Sequence, residues 1–440
     1  MLGEKIRFFC PWMIAAIIIG VTIRLIIGGL LSYNYDVFSW ALIISNIQAG
    51  SGLYDVTGYN YPPVWGYILG LVAQLTDLFG MDVLAERFPD LIFTESEIAN
   101  NPHLAFTTTV EFNVLMAGVI AIFDILASYL IYYVIREVFK DDRKAILGAA
   151  LWMLCPFIIA VGSAGVMFDC LSGALALLCV ILLIKDQEFL AGSIFAVAVF
   201  LKFFPAFLIF ILIAYIFVKH REDFPMRLGK AALGAAIFTA VIMVPQIMDG
   251  HLLDSGSFLL SRATVSTNVF DQYGTIIAYA VAIILEIVLA WYFTKRKSEN
   301  LDRDFLFFSF VAALLTLIYP SSSQYVLFMA PFLIITALCV DGRYRVGLAI
   351  ITVGTTIYVL GSSAALLTSV MEYTDLISFS SWFAFDTWLL DTKVLGLNMY
   401  NFISGIGGFL QYSAILICYY FIAKTFIYRE REFKEDGFHH

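Results

Sequence analysis

Roughly 20-residue apolar runs recur from one end of this 440-residue chain to the other, and such runs match the thickness of a bilayer's hydrocarbon core. With 61% hydrophobic residues and a mean hydropathy of +0.88, the composition sets water-soluble classes aside. The expected fold is an all-α polytopic membrane protein of about twelve transmembrane helices. They are expected near 11–31, 112–136, 145–161, 167–184, 189–203, 205–218, 229–247, 274–293, 305–319, 324–340, 345–367 and 402–424.

Residues 62–80 are apolar enough for one more span, and the basic residues decide against it. If this segment stays on one face, all of the 26 basic residues except Arg24, Arg87, Lys202, Arg262 and Lys393 share the side of the N-terminus. If it crosses, most of them change sides. The positive-inside rule therefore predicts that both termini are cytoplasmic and that 62–80 is an interfacial or re-entrant element on the outer face. Lys5 and Arg7 precede the first apolar run without a small-residue cleavage site, so that run reads as an uncleaved span. The chain then forms one integral membrane domain over 1–440. It carries a long first outer loop at 32–110 with juxtamembrane or re-entrant helices, a second outer loop at 368–401 and a cytoplasmic tail at 425–440. The net charge of −9 matters less than this asymmetry, and no nucleic-acid partner is expected.

The outer side holds the chemically distinctive residues. Asp36 lies about a turn beyond the first span, in Tyr33-Asn34-Tyr35-Asp36, among aromatic rings and away from any Lys or Arg. It either caps the following helix, Val37 to Ala49, or serves as a base whose basicity the apolar surroundings raise. Lys202 interrupts a long apolar run at an expected outer turn, where a cation is costly unless something anionic or aqueous meets it. It reads as an interfacial lysine or as a phosphate ligand. Arg262 is a second outer cation, near Asn268. Arg24, inside the first span, either snorkels to the headgroups or meets a lipid phosphate. Asp169 opens a helix, where capping competes with substrate binding. Gln324 and Tyr325 follow Tyr319-Pro320-Ser321-Ser322-Ser323, and Trp382, Asp386, Trp388 and Asp391 suit sugar faces or an interfacial aromatic belt. His103 and His251 have no ligand-spaced companion, and the six cysteines show no C-x-x-C spacing, so they read as packing residues and no metal site is expected.

The order Asp36, Trp40-Ala41, Gly52, Tyr54, Tyr61-Pro62-Pro63 resembles the start of the glycosyltransferase C superfamily, polytopic enzymes that use polyprenyl-phosphate sugars. The likeness continues through Phe112 to Tyr133 with Asp124, Pro156 to Asp169, Leu201-Lys202-Phe203-Phe204-Pro205, Thr264 to Asn268 and Ser323-Gln324-Tyr325 to Pro331, covering roughly residues 10 to 340. The nearest kind is mannosyltransferase-like. There are departures: Asn34 stands where some relatives carry a second acid, so no Asp-x-Asp pair is present. The segment that usually ends Gly-Gln-x-Asp is lengthened to Gly165-Val166-Met167-Phe168-Asp169, and Ser322-Ser323-Gln324 replaces a more charged turn.

The resemblance implies a membrane hexosyltransferase. It would move a sugar, mannose or another hexose, from a polyprenyl-phosphate donor to a glycan, glycolipid or protein acceptor at the extracytoplasmic face of the plasma membrane. Transfer would invert the anomeric carbon, with Asp36 as base. Lys202, Arg262 and Arg24 would meet the donor phosphate, and Trp40, Tyr61, Asp169, Asn268, Gln324 and Tyr325 would line the substrate site. The lipid-linked sugar is the donor, and no cofactor or metal is expected. A transporter or lipid flippase, and a noncatalytic membrane assembly subunit, are the alternatives.

Overall fold

The computed structural model describes residues 8–31, 34–55, 59, 61–86, 106–251, 269–318, 323–361, 367–374 and 376–436. Helices dominate it. Helix α1 (Pro11–Leu30) starts at a proline, whose missing N–H costs nothing in a first turn. Helices α2 (Asn34–Gln48) and α3 (Pro63–Phe79) follow, and α3 ends on the left-handed Gly80, φ 61°. Strand β1 (Leu84–Glu86) pairs antiparallel with β2 (Phe106–Thr108), an element the all-helical expectation did not include. Helix α4 (Val110–Val134) is capped by Thr109 and runs into a π turn at Ile135–Phe139.

Helix α5 (Asp142–Leu154) is bent by 44° from α6 (Pro156–Ile159), because the Pro156 ring cannot continue the helix. A second π turn at Ala160–Ala164 leads to α7 (Asp169–Ile184), then α8 (Glu188–Leu201), α9 (Ile209–Lys219) and α10 (Phe224–Met248). The chain continues as α11 (Val269–Lys295), α12 (Leu301–Leu315), α13 (Val326–Ile335) and α14 (Tyr344–Leu360). Two short helices, α15 (Thr368–Tyr373) and α16 (Phe379–Asp391), and a hairpin at 393–398 precede α17 (Met399–Asp436).

Each expected span thus contains helix among the described residues, but full-length spans are fewer than twelve. Among the described residues five helices are long and apolar enough to cross a membrane, or six counting the bent pair α5 and α6, and the other apolar helices have 10–17 residues. About 20 residues are needed for 30 Å, a length these shorter helices do not reach. The segment 62–80 is one of these: α3 packs on α2 and α8, and Tyr67 donates to the Gln246 side chain of α10 at 2.6 Å.

Ion pairs knit the helix ends of one side together. Arg136 meets Asp142, Lys185 meets Glu137, Lys219 meets Asp186 and Arg227 meets Glu188, while the Tyr215 hydroxyl donates to Asp302 at 2.6 Å. These are the cations expected on the N-terminal side. The opposite end gathers α2, α3, the β1–β2 pair and α15, whose Tyr373 donates to the Thr108 carbonyl.

Glycines set the closest helix approach. A Cβ on Gly192 of α8 would strike the Ala231 carbonyl of α10, and one on Gly234 would strike the Phe189 carbonyl. Gly192→Val is therefore expected to lower stability in detergent by about 1–3 kcal/mol, the usual cost of overpacking. A thermal midpoint equal to that of the wild-type protein would refute this reading of the contact.

Candidate functional site

The turn before α7 is shaped by an uncommon backbone. Val166, fully buried and β-branched, sits at φ 48°, in a region such residues avoid. Together with the preceding π turn it sets Phe168 and Asp169 at the start of α7. This is the segment that is lengthened relative to the resembled pattern.

From α8 comes the partner. Lys202 ends that helix in extended conformation, φ −158°, and Pro205 opens the following 3-10 turn at Phe204–Leu208. The Lys202 ammonium lies 2.6 and 2.7 Å from the two Asp169 carboxylate oxygens, with Asp169 fully buried and Lys202 nearly so. It also faces three aromatic rings, at 5.0 Å from the centroids of Phe168 and Tyr325 and 5.7 Å from that of Phe204. Here is the anion that a cation in this apolar run requires. Asp169 also stands in the first turn of its helix, where a negative charge is favoured.

An aromatic layer joins this pair to the first outer segment. Phe168 stacks on Trp65 of α3 at 4.4 Å and meets Tyr61 at 5.4 Å and Trp40 of α2 at 6.0 Å. Trp40 also packs on Trp65 and Tyr61. Behind them Tyr54 donates to the Tyr61 carbonyl and Tyr59 to that of Pro62, with burial pushing the Tyr59 phenol well above its usual pKa. Asp36 is in the first turn of α2, half-buried and four residues before Trp40, so the two share a helix face. Elements far apart in sequence thus meet here.

Of the residues expected at the site, Trp40, Tyr61, Asp169, Lys202 and Tyr325 come together around the ammonium and Phe168. Gln324 is beside them in the 3-10 turn Ser323–Tyr325, half-buried. Arg262 and Asn268 lie outside the described residues. Arg24 is placed differently: it is fully buried, bonded to Asp124 at 2.7 Å and to the carbonyls of Gly20, Trp152 and Met153. The indole of Trp152 donates to the other Asp124 oxygen at 3.0 Å. Its guanidinium is engaged within the helix packing of α1, α4 and α5, so its local role is to join helices. Phe168, Trp65 and Phe204 escaped the sequence reading, since aromatic residues in an apolar chain carry no signal of their own. Trp382, Asp386, Trp388 and Asp391 lie on α16, where Phe385 stacks on Trp388.

Among the described residues one carboxylate and histidine group has the spacing of metal ligands: Asp186, Glu188 and His220, at the opposite, basic end. Lys219 and Arg227 already neutralise its carboxylates.

A family model described as dolichyl-phosphate-mannose-protein mannosyltransferase matches residues 105–248, which include Asp169, Lys202 and the Asp124 partner of Arg24. No curated protein matches the chain. The family match bears out the resemblance to mannosyltransferases of the glycosyltransferase C type and supports a membrane glycosyltransferase.

The ion pair sets an energetic expectation. Asp169→Ala leaves a buried ammonium without its counter-charge and is expected to cost about 3–5 kcal/mol, while Asp169→Leu combined with Lys202→Met recovers most of that loss. Unfolding of the purified variants in detergent measures both, and a harmless Asp169→Ala contradicts the burial argument.

Proposed function

We propose that this chain, similar over residues 105–248 to membrane mannosyltransferases, transfers a hexose from a polyprenyl-phosphate donor to a hydroxyl acceptor at the extracytoplasmic face of the plasma membrane. The acceptor is a glycan, a glycolipid or a protein. One observation carries the reading: a buried lysine, ringed by aromatic faces, stands at the same end of the bundle as the helix that bears Asp36.

The donor enters from the bilayer with its phosphate toward Lys202. The ammonium then shares its donors between Asp169 and a phosphate oxygen, and Asp169 acts as a positioning residue that holds the amine charged and aimed. Arg262, beyond the described residues, is a second candidate for the phosphate. Arg24 is not assigned this role, because its donors are already engaged with Asp124 and backbone carbonyls. Trp40, Tyr61 and Tyr325 offer flat apolar faces to the sugar, with Gln324 and Asn268 as polar candidates.

In the transfer step the Asp36 carboxylate takes the proton of the acceptor hydroxyl while that oxygen forms a bond to the anomeric carbon. The bond from that carbon to the phosphate oxygen breaks, and polyprenyl phosphate leaves with the electron pair. A single displacement inverts the anomeric configuration and needs one base, because phosphate is already a good leaving group. Charge developing on the phosphate is stabilised by Lys202. No metal is invoked in this scheme.

Purified protein incubated with a panel of polyprenyl-phosphate sugars is expected to release polyprenyl phosphate and glycosylate an acceptor, both read by mass spectrometry. Asp36→Asn is expected to lower turnover by about 10²- to 10⁴-fold with an unchanged thermal midpoint. Normal turnover in that variant removes Asp36 from the mechanism. Substrate translocation without a new glycosidic bond would identify a transporter instead.

A further inference from the structure

The chain between α15 and α17 carries an unusual surface at the aromatic end of the bundle. Along α16 Leu389 alone is buried, and Phe379, Phe383 and Leu390 are each about half exposed. These three recur at i, i+4 and i+11, which puts them in one stripe of the helix. Ser380, Thr387 and Asp391 form a second, polar stripe on the face opposite Leu389. In the hairpin that follows, Leu395 and Gly396 make the turn with φ 53° and 82°. Positive φ at both central residues is the pattern of a type I′ turn, whose first place ordinarily takes Asn or Asp. Here it holds a leucine, 90% exposed at the tip.

What covers these side chains follows from α17. Its apolar span Met399–Phe426 has 28 residues, about 42 Å at 1.5 Å per residue. Hydrocarbon occupies about 30 Å of that length, so the ends of the span stand in the headgroup layers. Asn398, Tyr400 and Asn401 at one end, and Lys424 at the other, suit that placement. Ile406, Phe409, Leu416 and Tyr420 form one exposed stripe along the span, its lipid-facing surface. α16 packs on α17, and the Thr392 carbonyl that closes α16 accepts from the Met399 N–H at 2.8 Å. The exposed side chains of α16 therefore continue the lipid-facing surface of α17 at headgroup level. α16 itself has 13 residues, about 20 Å, and contains Asp386 and Asp391, so it does not cross.

From this continuity we infer that α16 and its hairpin form an interfacial foot, embedded in the leaflet at the aromatic end of the bundle. The Phe379, Phe383 and Leu390 stripe and Leu395 enter the boundary of the hydrocarbon, and Ser380, Thr387 and Asp391 face water. Sugars also stack on aromatic rings, but Leu376, Leu390 and Leu395 in the same exposed set suit hydrocarbon and give a sugar nothing to stack on. Residues 376–398 hold two acids and one cation, Lys393, so the foot fits a neutral lipid and has no feature that selects an anionic headgroup. Through α15, on which α16 packs, the foot reaches the chain before α4, where Tyr373 donates to the Thr108 carbonyl. This surface is separate from the proposed transfer site, so the inference stands or falls independently of that reaction.

The test uses the full chain in phosphatidylcholine vesicles that contain a phosphatidylcholine with a photoreactive group either beside the ester or at the end of one acyl chain. Cross-links are mapped by mass spectrometry. The ester-side probe is expected to label residues 379–395 about threefold more than the chain-end probe does, with the order reversed at Phe409 and Leu416 near the middle of α17. In a second measurement p-benzoylphenylalanine replaces either Phe383 or Ser380, both exposed and on different faces of α16. Capture of lipid from Phe383 is expected to exceed that from Ser380 by about threefold. Absence of label on 379–395, equal labelling there by the two probes, or equal capture from the two positions overturns the proposal. A cross-linked dimer through position 383 would make the surface a contact between copies of the chain, and loss of capture on adding mannotriose would assign the rings to sugar. Either result also overturns it.

Discussion

A charge placed in hydrocarbon must find its opposite, and the architecture follows from how two cations of this chain do so. Arg24 reaches Asp124, which the Trp152 indole also holds, and spends its remaining contacts on carbonyls of α1 and α5. Lys202 reaches Asp169 across the α7–α8 pair and otherwise faces aromatic rings. The first arrangement is saturated and locks helices together. The second leaves an ammonium whose other neighbours are ring faces, which accept a cation weakly and yield to a stronger anion. The difference between the packing pair and the pair proposed to bind lies in what surrounds each, and both are buried to a similar degree.

The two ends of the bundle divide the work. One is a belt of compensated ion pairs at helix termini, which fixes the relative heights of α4, α7, α8, α9, α10 and α12. The other is aromatic and holds the buried Lys202–Asp169 pair. Steric fit along glycine faces does the remaining work. α14 and α17 approach through Gly354 and Gly407, where an added Cβ would meet backbone atoms. In a bilayer such contacts replace the hydrophobic drive available in water.

Much of this was legible in the sequence. Each expected apolar segment holds helix among the described residues, because length and hydropathy carry that information directly. The bends were less visible: Pro156 and the π turns shorten spans that a hydropathy window reads as continuous. Lys202 stood out as a cation in an apolar run, but its partner is 33 positions earlier, and Asp169 read equally well as a helix cap. Arg24 stood out for the same reason. Its partner Asp124 is 100 positions away inside another apolar helix, and contacts at that separation leave no local pattern. Trp65 and Phe168 could not be singled out, since composition already saturates the chain with aromatic residues.

The β1–β2 pair ties Leu84 opposite Thr108 and Glu86 opposite Phe106, a clasp between the chain that follows α3 and the chain that precedes α4. Thr109, next in the chain, donates to the Asp82 carbonyl and caps α4, so the clasp also sets where that helix begins. The clasp is therefore the joint between the outer segment and the bundle: through Thr109 it ties the chain just past α3 to the first turn of α4, so the aromatic layer built on α2 and α3 keeps a fixed height against the long helices.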